Sequence, residues 1–260
     1  MGSQVGRATL RDDLGAPVPL RHPARRVVSL VPSLTEAIAS VDPDLLVGIT
    51  DWCEFPADLG AARVRGTKNP DLRRIIALAP DLVVANMEEN REIDVRRLRD
   101  AGVCVWVTRI ESVAESLTSM ARLLHDGLER DEPEWLGSAR DIWEAPIVDL
   151  GIRVAVPVWR DPWFVVGPGT FANDLLARCG FHNAFAVAGA RYPKVTVDAI
   201  VSSDVDLVLL PDEPYRFDAT NGPDALPVRT ALIPGRSLTW YGPTLLSARE
   251  GIVGPALAAF

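Results

Sequence analysis

The sequence predicts an α/β protein of two lobes, each built on a mainly parallel sheet flanked by helices. Three observations lead there. One pattern occurs twice: Arg26-Val27-Val28-Ser29-Leu30 runs into Pro32-Ser33-Leu34-Thr35-Glu36, and Arg153-Val154-Ala155-Val156 runs into Pro157 and on to Gly167-Pro168-Gly169-Thr170-Phe171. A second apolar run follows each at almost the same distance, with Asp81 lying 55 residues after Arg26 and Asp206 lying 53 after Arg153. Between these runs short β-branched stretches alternate with helical periodicity, the order that builds parallel sheets. The 260 residues are 48% hydrophobic and 24% charged, enough apolar matter for two cores of ordinary size.

Each element has its own reason. The segment up to Pro23 reads as irregular, with a short hairpin around Gly15-Ala16-Pro17. Val27 to Val31 is unbroken and apolar, as in strands buried on both faces. Ser33-Leu34-Thr35-Glu36 has the spacing of a capping box, which makes Ser33 the cap of a helix reaching Ser40. Leu45 to Thr50 is a strand. Asn69-Pro70 reads as a helix start, Asn as cap and Pro at the first position, with Pro80 as its end. Asp81 to Ala85 is a strand, Ile93 to Ala101 a helix and Val103 to Val107 a strand. From Val113 to Glu144 the pattern is helical, interrupted at Asp131-Glu132-Pro133 and stopped by Pro146. Nothing in that stretch looks catalytic, so it reads as a connector. The chain thus divides into an extension (1–25), an N-terminal lobe (26–112), a connecting helical segment (113–150) and a C-terminal lobe (151–260) that ends in a short helix after Pro255.

The net charge of −8 disfavours a nucleic-acid partner, whose binders concentrate Lys and Arg. Cys53, Cys104 and Cys179 form no framework, which fits a reducing compartment better than an oxidising one. No signal peptide, lipobox or membrane span is legible, so the expected location is cytoplasmic, or periplasmic and extracytoplasmic if a leader has been removed.

In open α/β sheets, ligands bind beyond the carboxyl ends of the parallel strands. Those ends carry Pro32-Ser33, Asp51-Trp52, Asn86 to Asn90, Thr108-Arg109, Trp159 to Phe164, Pro211 to Phe217 and Thr239-Trp240-Tyr241. Four of seven Trp and two of three Tyr fall there, namely Trp52, Trp159, Trp163, Trp240, Tyr215 and Tyr241. As a set such rings suit a large, flat or amphipathic ligand, the alternative being that they cap each lobe's own core. Asp51, Glu88, Glu89, Asp212 and Glu213 share the rim with Lys68, Arg109, Arg160, Arg191 and Arg216. No catalytic residue and no metal set is predicted. His22, His125 and His182 lie away from the strand ends, and Gly167-Pro168-Gly169-Thr170 lacks the Lys of a P-loop. Ser33 lacks the flanking glycines of a nucleophile elbow, which leaves capping as its role.

Taken together, Arg26 to Glu36, Ile75 to Asn86, Glu92-Ile93-Asp94-Val95 with Leu98 and Gly102, and Arg191 to Val195 resemble the class III substrate-binding proteins of ABC importers. That family is also called the helical-backbone metal receptors and includes cobalamin-, haem- and ferric-siderophore-binding proteins. The resemblance runs from about Arg26 to Pro255 and is nearest to the cobalamin-binding members. It implies two lobes joined by one long helix, with a ligand in the cleft between them and no intrinsic cofactor. It implies ligand contacts from Pro32, Ser33, Asp51, Trp52, Lys68, Asn69, Trp159, Trp163, Arg191, Tyr192, Glu213, Tyr215, Trp240 and Tyr241. Glu92 stands where family members dock onto an arginine of the ABC permease. The run Pro133 to Pro146 departs from the family in suggesting a broken connecting helix. The competing expectation is an enzyme that uses the rim carboxylates Asp51, Glu88 or Glu213 as acid and base.

Overall fold

The computed structural model describes residues 10–260, which form two compact units. The first comprises the chain up to Ile110 together with Ser116–Leu136; the second comprises Glu111–Glu115 and Gly137–Phe260.

In the first unit a hairpin of β1 (Leu10–Arg11) and β2 (Pro17–Val18) precedes β3 (Val27–Ser29), α1 (Pro32–Ala39) and β4 (Leu46–Ile49). Next come β5 (Ala62–Arg63), a small hairpin of β6 (Arg65–Gly66) and β7 (Asn69–Pro70), α2 (Leu72–Ala77), β8 (Leu82–Asn86), α3 (Glu92–Asp100) and β9 (Val105–Thr108). Five strands pair in the order β5-β4-β3-β8-β9, every neighbour parallel. Alternate residues face opposite sides. Val28, Val83, Ala85, Val105 and Val107 pack with Ile75, Val95 and Leu98, so α2 and α3 cover that face. Leu82 and Trp106 face the other way, where Gly127 comes close to both side chains.

The second unit holds β10 (Ile152–Ala155), a hairpin of β11 (Pro157–Trp159) and β12 (Trp163–Val165), α6 (Phe171–Arg178) and β13 (Phe181–Asn183). It continues with β14 (Lys194–Val195), α7 (Val197–Val201), β15 (Leu207–Pro211), β16 (Thr230–Ile233), α8 (Gly235–Thr239) and α9 (Leu245–Ala258). Strands β13-β10-β15-β16 make a parallel sheet, and β11-β12-β14 a smaller antiparallel one. Ala155, Val208, Leu210, Ile200, Trp163 and Phe217 share a core.

The sequence repeat has a structural cause. The Asp81 carboxylate accepts from the Arg26 amide at 2.9 Å, and the Arg26 guanidinium donates to the Ala79 and Leu78 carbonyls. In the second unit Asp206 accepts from the Arg153 amide at 2.8 Å, and the Arg153 guanidinium donates to the Ser203 carbonyl. In both units the Arg and Asp clamp two neighbouring parallel strands at their starts.

Two helix starts differ from expectation. Helix α1 begins at Pro32 with Val31 as its cap residue and no side-chain cap bond, and Ser33 is buried in its first turn. Proline at the first position already suits the helix start and leaves Ser33 one step inside it. Asn69-Pro70 is a strand rather than a helix start. The cap of α2 is Asp71, whose carboxylate accepts from the Arg74 amide at 3.1 Å. The connector is two helices: α4 (Val113–Arg122) runs on through a wider turn at Leu123–Gly127, and α5 (Glu134–Glu144) restarts after Pro133. Pro255 lies inside α9, in its final turn, where a missing N–H removes a single helical bond.

Candidate functional site

In the first unit, the segments beyond the carboxyl ends of β3 and β8, and the β6–β7 hairpin, are pinned by two asparagines. Asn86 Oδ1 accepts from the Glu88 and Glu89 amides at 2.8 and 3.2 Å, and its amide nitrogen donates to Thr108 Oγ1. Asn90 Oδ1 accepts from the Asn86 amide, and Asn90 Nδ2 donates to the carbonyls of Leu30 and Thr67 at 3.2 and 3.0 Å. These bonds satisfy loop backbone groups that would otherwise be orphaned. They also tie the β6–β7 hairpin to β8, and Lys68 Nζ adds a bond to the Glu88 carbonyl at 2.5 Å.

Upon this frame Trp52 is 64% exposed, with Phe55 exposed on the same loop and Met87 on the loop after β8. A Cβ on Gly66 would stand 2.6 Å from Asn69 Oδ1 and 3.1 Å from the Trp52 indole nitrogen. The glycine thus leaves room for the Asn69 and Trp52 side chains to lie against the hairpin. Asp51 is exposed and its amide donates to the Arg65 carbonyl. Trp52, Asp51, Lys68 and Asn69 are therefore exposed side chains on the loops beyond β4 and on the β6–β7 hairpin, whereas Ser33 is buried and Pro32 half-buried. Cys53, between Thr35 Oγ1 and Thr50 Oγ1 at 3.0 and 3.1 Å, has its thiol pKa raised by burial.

In the second unit, aromatic rings form a column from core to surface. Trp163 stacks on Phe217 with centroids 5.9 Å apart, Phe217 meets Tyr215 at 4.7 Å, and Tyr215 meets Trp159 edge-on at 5.5 Å. Exposure rises from Phe217 at 1% to Trp159 at 47%. Trp163, expected as a ligand contact, belongs to the core: it lies on β12 of an antiparallel hairpin, facing inward, and not on a strand-end loop. Trp240 and Tyr241 are also buried rather than presented, the first donating from its indole to Glu213 Oε1 at 2.7 Å and the second set edge-on to Phe171.

Glu213 is held by the Trp240 indole and by Thr239 Oγ1, close against Gly235. Burial raises its carboxyl pKa above the ordinary glutamate value, against the lowering effect of the Trp240 bond. Arg191 pairs with Glu111 of the same unit, so its charge is already countered; Tyr192 is exposed. Arg160, too, is engaged, with Asp224 and Asn221. Glu92 is exposed at the start of α3.

Asn221 and Asp224 in the second unit and Phe55 and Gly66 in the first lie outside the segments expected from the sequence, whereas Phe217 and Met87 fall within the strand-end segments Pro211 to Phe217 and Asn86 to Asn90. The Asn221-Gly222 pair is the one signal that marked a specific turn there. Among the described residues no group of three or more His, Cys, Asp or Glu could hold a metal ion.

Two parallel α/β sheets flanked by helices, one in each unit, are the fold shared with class III periplasmic binding proteins. The chain is similar to the vitamin B12-binding protein of Salmonella paratyphi A, 28% identical over 224 residues that cover 81% of this chain and 80% of that protein. The periplasmic vitamin B12-binding protein BtuF of Vibrio cholerae shares the fold with a TM-score of 0.71 at 20% identity, covering 91% of this chain and 98% of that one. So does the periplasmic haem-binding protein RhuT of Roseiflexus, with a TM-score of 0.70 at 19% identity over 90% of this chain and 99% of that one. No protein-family model matches the chain.

Proposed function

We propose that this protein binds a metal chelate or tetrapyrrole-like ligand without transforming it, as a relative of ABC-importer substrate-binding proteins, and that cobalamin is the first candidate. The observation that carries this reading is the Trp159–Tyr215–Phe217–Trp163 column, whose outermost ring is half-exposed while the rest anchor it to the core. An exposed Trp fixed by its neighbours offers a large rigid contact area at little entropic cost. Trp52, with Phe55 and Met87, offers the first unit's own apolar surface. The name of the Salmonella relative and the two structural neighbours supply the ligand class. Asp51, Lys68 and Asn69 supply exposed polar groups around Trp52, Tyr192 an exposed ring in the second unit, and Glu92 the docking point for an ABC permease.

Titration with cyanocobalamin, haemin and a ferric siderophore, followed by tryptophan quenching and calorimetry, tests the reading. One of the three is expected to bind at micromolar concentration or tighter, about −8 kcal/mol. Failure of all three to bind below millimolar concentration overturns it. The enzymatic reading has less support: Glu213, whose carboxyl pKa burial raises, is already bound to Trp240 and Thr239.

A further inference from the structure

We propose that Arg160 is a positioning residue: its guanidinium locks the loop 213–226 to the β11–β12 hairpin and thereby fixes the Trp159–Tyr215 surface before any ligand arrives. This rests on the ligand-binding reading above for its consequence, though not for its geometry. Arg160 directly follows Trp159 in the chain. Its Nη1 donates to Asn221 Oδ1 at 2.7 Å and to Asp224 Oδ1 at 2.9 Å, and its Nη2 donates to Asp224 Oδ2 at 3.0 Å. The pair is a two-pronged fork on a carboxylate, a geometry that a lysine cannot reproduce. The guanidinium also lies over the Trp163 ring at 5.7 Å, and its side chain is only 19% exposed.

Each partner of Arg160 carries the restraint onward. Asp224 Oδ1 accepts from the Gly222 amide at 2.7 Å, at a residue whose φ of +127° and close approach to the Phe217 ring exclude a side chain. Asn221 Nδ2 donates to Tyr215 Oη at 3.2 Å and to the Arg216 carbonyl at 3.1 Å. Tyr215 then meets Trp159 edge-on. The circuit Trp159–Arg160–Asn221–Tyr215–Trp159 therefore closes on itself, and Arg160 adds hydrogen bonds between hairpin and loop to the ring contacts Trp159–Tyr215 and Trp163–Phe217. Without it, ring contacts remain but the hydrogen bonds that hold loop to hairpin are lost, and a ligand must order Trp159 and Tyr215 at the cost of affinity.

The test uses the full chain as Arg160→Gln, Arg160→Lys and Trp159→Ala, with Arg160→Gln also made in the Trp159→Ala background. Ligand-free measurements come first: amide exchange across residues 213–226, with β8 as an internal reference, and the resonance of Trp159 in protein containing fluorotryptophan. Arg160→Gln is expected to speed exchange in 213–226 alone and to shift or broaden the Trp159 resonance, with Arg160→Lys in between. Cyanocobalamin binding is expected to weaken about ten-fold in Arg160→Gln and by less than half that factor when Trp159 is already Ala. Unchanged exchange in 213–226 together with an unmoved Trp159 resonance overturns the proposal, as does an equal loss of affinity in both backgrounds. If the unaltered protein binds no cyanocobalamin, the functional reading fails, while the ligand-free measurements still decide the role of Arg160.

Discussion

Trp159 and Glu213 show how differently two expected site residues behave. Trp159 keeps an exposed face supported by Tyr215, so Trp159→Ala should cost about 2 kcal/mol of ligand binding, roughly thirty-fold in Kd, with little change in Tm. Calorimetric titration beside a melting curve checks both halves of that statement. Glu213 predicts a pH effect. Its folded pKa is raised by burial above the ordinary 4.5, so the folded state favours the protonated form. Its contribution to stability is therefore full below 4.5 and is lost as the pH rises through the raised value. Relative to Glu213→Gln, the natural protein should gain stability as the pH falls from neutral toward 4.5; parallel denaturation curves for the two would contradict this. The exposed Trp52 and Trp159 were legible because a ring at a strand end is a visible signal. The inward turn of Trp163 was not, because an antiparallel hairpin that reverses its direction leaves no mark in apolar periodicity. Arg160 read as a loose rim charge because its partners lie 61 and 64 residues away.

At the level of elements, the β1–β2 hairpin lies along the outer strand β9. The Asp13 amide donates to the Val107 carbonyl, and the buried Asp12 carboxylate accepts from Leu14, Ala16 and Val107 amides and from Arg99 at 2.6 Å. Asp13 in turn accepts from Ser119 and Arg122. An exposed parallel edge is a template for pairing with another chain, and the hairpin covers it. Asp12→Ala leaves Arg99 without that carboxylate and several amides unsatisfied, so a loss of about 3 kcal/mol is expected. Urea denaturation measures it, and faster exchange at the Val107 amide locates it. Gly222→Ala, which forces a Cβ to 2.7 Å from the Phe217 ring at a positive φ, should cost about 2 kcal/mol in the second unit. The strands and helices of the first unit's main sheet were legible from period and punctuation, whereas the short strands of the β6–β7 and β11–β12 hairpins were not. Helix starts were less legible: at Asn69-Pro70 and Asp71 two good caps stand two residues apart, and the short β6–β7 pairing decides between them.

For the whole molecule, the duplicated Arg–Asp spacing made the two units legible in the amino-acid sequence, since the same clamp starts the sheet in each. A ligand that binds only the folded protein should stabilise it by about 2.7 kcal/mol at one hundred times its Kd. Thermal scans at rising cyanocobalamin should therefore raise Tm by several degrees, in step with concentration. Glu92→Lys, on the exposed start of α3, should leave that shift intact and remove only stimulation of a reconstituted permease's ATPase.

The division of the chain carries one more consequence, for biosynthesis. Because the first unit draws on Ser116–Leu136 as well as on everything up to Ile110, its core cannot be completed when the ninth strand leaves the ribosome. Trp106 and Leu82, on the face that Gly127 approaches, wait for some twenty further residues to emerge. Five of those, Glu111–Glu115, belong to the second unit, not yet translated. A fragment cut at residue 112 should therefore expose that apolar face and aggregate, whereas one extended to residue 136 should remain in solution.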